Sequence, residues 1–175
     1  MMRAVVRSLV AVLLLSSAVP AFAQESKSAA LVKQLVAALE AGKLDAVAAK
    51  DPSAPDAFCA ALYFPNAELL VVSARYSAPQ LLTDRLVKGE YRDTYIDLTS
   101  ASMPATKVFV QDTSADGLKA QGFDTYEEAG KTMAFDGDWK KQKISEQDYQ
   151  KAFAAADARY AQILTALLAQ LKKTS

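Results

Sequence analysis

Two absences limit the available chemistry: the 175-residue sequence contains no histidine and a single cysteine, Cys59. A Ser-His-Asp or Cys-His nucleophile therefore cannot be assembled. Zinc sites built on imidazole are excluded, and one cysteine cannot replace them. Histidine ligation of haem is excluded too, which leaves Tyr or Met as formal ligands. Any general acid or base has to be a carboxylate, a lysine or a tyrosine. Cys59 itself lies in the apolar run Phe58-Cys59-Ala60-Ala61-Leu62, where a free cysteine acts as a small buried hydrophobe rather than a reactive thiol.

The polar turns are the next candidates. Asp136-Gly137-Asp138-Trp139 invites a calcium loop, because alternating acids around Gly can wrap a hard cation. An EF-hand register begun at Asp136 fails. It places Lys140 at the fifth position, Lys141 at the sixth where Gly is needed, and Gln147 at the twelfth where Glu is needed. The segment reads as an exposed turn whose Trp packs onto the domain. Gly117 and Gly122 have phosphate-loop spacing, but Phe123 stands where Lys is required. Asp112 to Gly117 reads as an ordinary polar turn, and Lys140, Lys141 and Lys143 as a solvated basic loop. Neither a G-x-S-x-G nor an S-x-x-K nucleophile motif occurs.

The N-terminus carries an address. Arg3 and Arg7 without an acid, the apolar run 9–15, Pro20 and then Ala21-Phe22-Ala23 make up a cleavable secretory signal peptide over residues 1–23. The run is too short to span a bilayer, and Cys59 is too far downstream for a lipid anchor at the cleavage point. The expected product starts near Gln24, is periplasmic or extracellular, and keeps no stable membrane anchor. Residues 24–175 have the size of one domain and a net charge of −2, from 18 basic and 20 acidic side chains. Both signs are spread along the chain, so the basic stripe that nucleic-acid binding needs is missing.

Periodicity then supplies the elements. Leu31, Val32, Leu35, Val36 and Leu39 predict a helix over 28–41, with Ser28 at its start and Gly42 at its left-handed end. Residues 44–50 fit a helix by their alanines and a strand by their alternation. The apolar runs 57–64 and 68–76, joined by Pro65-Asn66-Ala67, predict a β-hairpin. Pro79 opens a helix over 80–87 with Leu81, Leu82 and Leu86 inward. Strands are expected at 91–98 and 107–112, and a short helix at 125–131. Ser145, with Asp148 three residues on, opens a long helix over 145–173. Its stripe of Tyr149, Phe153, Ala156, Tyr160, Ile163, Leu167 and Leu171 packs on the domain's own sheet or forms a homodimer seam. Acids on its polar face argue against anionic lipid.

The expected fold class is α+β: a small antiparallel β-barrel or sheet with an N-terminal helix and a long C-terminal amphipathic helix. Over residues 28–117 the order of elements resembles the FMN-binding split barrel of the pyridoxamine-phosphate-oxidase-like superfamily. That resemblance implies flavin-phosphate contacts from Arg75, Tyr76 and Ser77, where the third strand meets the next turn. Arg suits the role because it bonds phosphate bidentately. Two functions follow as expectations. One is an exported, non-catalytic domain that binds a small ligand or a partner, and the other is an FMN-dependent oxidoreductase.

Overall fold

The segments Phe58–Phe64 and Glu68–Ala74 are apolar at both parities, so as strands they require cover on both faces. The computed structural model describes residues 26–65, 68–88 and 106–174; the leader expected at 1–23 and the strand expected at 91–98 lie outside them. In chain order the elements are α1 (Lys27–Gly42), β1 (Ala46–Lys50), β2 (Phe58–Phe64), β3 (Glu68–Ala74), α2 (Pro79–Val87), β4 (Thr106–Thr113), β5 (Gln121–Glu128), β6 (Lys131–Asp136) and α3 (Glu146–Thr174). The six described strands form one antiparallel sheet in the order β1-β2-β3-β4-β5-β6. Among the described residues the sheet is open, with β1 and β6 as its edges, so the α+β class takes its sheet form and not that of a closed barrel.

Register decides what each face carries. Val47, Ala61, Val71, Val110, Tyr126 and Met133 stand opposite one another in successive strands. This row belongs to the core under α1 and α3, packed by Val32, Leu35 and Leu39 from one helix and Tyr160, Ile163, Leu164 and Leu167 from the other. Each fully buried leucine there contributes about 1.5–3 kcal/mol. One residue along, Ala48, Ala60, Val72, Phe109, Glu127 and Thr132 form the opposite row, apolar over four strands and polar over the last two. Leu82 and Leu86 of α2 cluster with Ala60, Leu62, Leu70, Val72 and Phe109 on that side. On that side β5 and β6 bury Thr125 but leave Glu127 and Thr132 wet, where Thr132 Oγ1 donates to Glu127 at 3.1 Å.

That wet face explains a correction. The short helix expected at 125–131 is instead the β5–β6 hairpin. Its two-residue loop, Ala129 and Gly130, has φ of 51° and 73°, the left-handed pair that matches strand twist. Glu127, Glu128 and Ala129 favour a helix locally, but pairing with β4 overrides that preference. Within the ambiguous segment 44–50, Ala46–Lys50 form the strand β1. Leu81, expected inward, is 46 % exposed.

Helix ends hold two further surprises. Gly42 is the last helical residue of α1, and Lys43 adopts the left-handed cap, φ 53°. Ser28 does not cap α1; it is buried in the first turn, and its Oγ accepts Leu118 N–H at 2.9 Å. The cap comes from α3, where Asp157 accepts Lys27 N–H at 2.7 Å and Ser28 N–H at 3.0 Å. At the start of α3, Ser145 Oγ accepts Asp148 N–H at 3.1 Å, as its sequence predicts. The apolar stripe of α3 packs on α1 and the sheet. Replacing Asp157 by Ala strips two amides at the start of α1, that of Ser28 buried, of their acceptor. An Asp157→Ala variant is expected to lose about 1–2 kcal/mol in urea unfolding while keeping its helix content.

Candidate functional site

Asp51 follows β1 directly and closes the β1–β2 connection, its N–H donating to Ala57 O at 3.1 Å. Its carboxylate is buried, yet it is fully engaged. The Ser73 hydroxyl of β3 donates to it, as do Arg159 Nη2 of α3 at 2.7 Å and Ser53 N–H at 2.8 Å. Burial would raise its pKa, but the Arg159 guanidinium, Ser73 and Ser53 outweigh burial and hold Asp51 below the usual carboxylate range. Arg159 Nε lies 3.8 Å from Glu128 Oε1, and Tyr126 O–H donates to the other oxygen of Glu128 at 2.8 Å. Burial, reinforced by that carboxylate, raises the Tyr126 pKa and keeps the phenol protonated. Cys59 is buried beside this network, 3.6 Å from Ala49 O; burial first, then the charge of Asp51, pushes its thiol up to about 12. A thiol that remains protonated is no nucleophile. The cluster ties β1, β3, β5 and α3 together, and it holds Asp51 ionised and sealed from substrate.

Arg75, Tyr76 and Ser77 run between β3 and α2 and diverge. Arg75 Nε donates to Asp56 at the surface, and Lys107 Nζ joins that carboxylate at 3.3 Å. Slight desolvation of Asp56 is outweighed by these two cations, which lower its pKa. Tyr76 packs against the α2 side of the sheet, with the Arg85 guanidinium 5.9 Å from its ring centre. Ser77 is exposed just before α2, whose N-cap residue, Ala78, supplies no side-chain hydrogen bond.

The other turns are organised internally. Asp136 Oδ1 accepts Asp138 N–H at 2.9 Å, Asp138 Oδ1 accepts Lys141 N–H at 3.0 Å, and Lys140 Nζ sits 5.2 Å above the Trp139 ring. Among the described residues no group of three or more acids or cysteines is arranged to hold a metal ion. Gly117 packs against α1, and Phe123 is 77 % exposed where β5 shifts register, at φ 59°.

Among the described residues no strand pairs with the outer edge of β1, and a groove runs along it. It measures about 500 Å³ and is lined by Ala46, Val47 and Ala48, by Pro79, Thr83 and Val87 on the α2 wall, and by the balanced pair Asp84 and Lys88. The ladder with β2 uses odd-numbered residues of the β1 segment, since Tyr63 N–H bonds Asp45 O at 2.8 Å and Asp51 N–H bonds Ala57 O at 3.1 Å. Alternation therefore turns the backbone N–H and C=O of Ala46 and Ala48 outward, along the groove. Val87 is 62 % exposed on the wall, and Leu44, just before β1, is 44 % exposed. Sequence reading left β1 ambiguous and so missed this edge; the alternation of Leu44, Ala46 and Ala48 was the signal that marks it.

Two outcomes check the buried network. Arg159→Ala leaves Asp51 buried without a counter-charge and is expected to cost about 3 kcal/mol in urea unfolding near pH 7. Because the folded-state pKa of Asp51 is depressed, its contribution is present above the unfolded value and lost as pH falls through the folded one. The gap between wild type and variant therefore narrows below about pH 4. Separately, Cys59 is expected to ignore an aromatic disulfide reagent at pH 8 until urea opens the core.

No family model, no curated protein and no solved structure matches this chain.

Proposed function

We propose that the chain is exported and that its mature domain is a non-catalytic interaction module, which takes an extended, uncharged apolar segment of a partner along the free edge of β1. The observation that carries this reading is the groove itself, with outward backbone donors and acceptors on one side and, on the other, an α2 wall where Pro79 and Val87 alternate with Gln80, Thr83 and Asp84. Added strands gain affinity from main-chain hydrogen bonds and specificity from pockets for alternate side chains. The lining has one acid and one base, so its balanced charge suits a neutral segment. The buried thiol and the sealed Asp51–Arg159 pair favour a structural rather than a reactive use of the remaining polar groups.

A second reading, an FMN-dependent oxidoreductase, is favoured by one feature: Ser77 leads into the N-terminus of α2, whose N-cap residue Ala78 has no side chain to cap the first amides. Against it, Arg75 is engaged by Asp56. A visible spectrum of the protein from its host separates the two. Flavin bands lost in an Arg75→Ala variant would support the second reading, and a colourless protein that takes up no FMN would remove it.

The edge reading is tested by fluorescence anisotropy with labelled, uncharged hexapeptides rich in Val, Ile and Thr. Binding is expected to weaken at least tenfold in Val87→Asp, which sets an uncompensated charge in the groove, and in Ala48→Pro. The latter removes an outward N–H that the ladder with β2 does not use. Unchanged binding in both variants, with folding intact, would overturn the edge as the site. Mass spectrometry of the exported product should give a chain beginning at Gln24; an uncleaved N-terminus would contradict export through this leader.

A further inference from the structure

The two edges of the described sheet are built differently. The β6 edge is blunted. From the loop that follows it, Gln142 Nε2 donates to the Ala134 carbonyl at 2.6 Å. Lys131 stands exposed on the strand, and Lys141 Nζ reaches back to within 3.7 Å of Asp136. Lysines and a covering loop are means by which proteins keep a sheet edge from pairing with another chain. The β1 strand carries neither. Ala46, Val47, Ala48 and Ala49 are uncharged, and none is a proline. Lys50 ends the strand, but its Nζ lies 4.7 Å over the ring of Phe58 in β2, turned back onto the sheet and away from the edge.

The groove asks for an extended, uncharged, apolar occupant, and β1 itself meets that description. Its outward N–H and C=O groups recur on alternate residues, at Ala46 and Ala48. A twofold axis between two Val47 residues sets Ala46 opposite Ala48 of a second copy, and Ala48 opposite its Ala46. Each such pair exchanges both N–H···O bonds. The same axis sets the groove wall against its own image, so the wall has to be complementary to itself. A wall of one sign would repel that image. This one carries a single acid, Asp84, and a single base, Lys88, so facing walls accumulate no net charge. Apolar exposure is concentrated here too, with Leu44 just before β1 and Leu81 and Val87 on α2.

We propose that the partner strand comes from a second copy of this chain: β1 pairs antiparallel with β1 across a twofold axis and joins two six-stranded sheets into one. The inference rests on the edge reading and names its occupant. Ala46 and Ala48 have small side chains, which let the two backbones and the two α2 walls come together. β1 is five residues long, so the contact is small and the dimer forms and dissociates with concentration. Dilute protein keeps the edge open.

Sedimentation velocity of the mature protein over a roughly hundredfold dilution series reads the assembly, with amide exchange along β1 recorded on the same samples. The expected result is a mass that doubles with concentration while the Ala46 and Ala48 amides gain protection. Ala48→Pro takes one outward N–H from each copy, and Val87→Asp sets like charges on facing walls; each is expected to weaken the dimer about tenfold or more. Excess uncharged hexapeptide should return the dimer to monomer. The wild-type measurements decide the matter if either variant fails to fold. A chain that stays monomeric at every concentration yet binds the hexapeptide overturns the dimer and leaves the edge reading standing. A monomer that binds no hexapeptide removes both. A dimer indifferent to both substitutions uses another face and overturns the inference. So does a monomer whose Ala46 and Ala48 amides are protected at every dilution, because the chain's own residues then cover the edge.

Discussion

Strands β2 and β3 are apolar on both faces, and that two-sided burial organises the rest of the molecule. One face needs a broad cover, which α1 and α3 supply together although they lie at opposite ends of the described chain. The other face receives α2, whose contacts concentrate on β1 and β2. A short helix over one end of an open sheet leaves a step where the sheet edge and the helix wall meet. The groove beside β1 is that step. A closed sheet would have no free edge to offer, so the openness of the sheet and the proposed interaction share one cause.

Buried acids then fix how the layers sit. Asp157 reaches from α3 to the first amides of α1 and Asp51 joins the β1 end to α3 through Arg159, while Asp112 and Asp124 shape the connection that presses on both helices. The same side chain behaves in two ways according to its neighbours. With the Arg159 guanidinium against it, Asp51 is held below the usual carboxylate range, whereas at Asp112 and Asp124 burial outweighs the donated hydrogen bonds and raises the pKa. Each tie links segments far apart in sequence, so losing one is expected to affect the docking of whole elements rather than one local turn.

Much of the fold was legible in the amino-acid sequence because local signals agreed with tertiary demand. The β2–β3 hairpin announced itself by two apolar runs, α2 by Pro79, and α3 by its stripe and by Ser145 with Asp148. The β5–β6 hairpin was not legible, because one face is wet and Glu127, Glu128 and Ala129 resemble helix. Ser28 was a sound cap candidate by type, but a partner 129 positions away in sequence took that role. The Asp51–Arg159 pair spans 108 positions and has no local signature at all. Cys59 was readable as a buried hydrophobe from its flanks alone. The groove was hidden for a simpler reason: an alanine-rich segment fits helix and strand equally until β2 pairs with it.

Edge pairing is tested most directly by amide hydrogen exchange along β1, with and without a saturating uncharged apolar hexapeptide. Protection gained at the outward amides of Ala46 and Ala48, with Val47 and Ala49 unchanged because β2 already holds them, is the predicted result. Protection confined to the region of Arg75, Tyr76 and Ser77, or no gain at Ala46 and Ala48 when the peptide is bound, would contradict it.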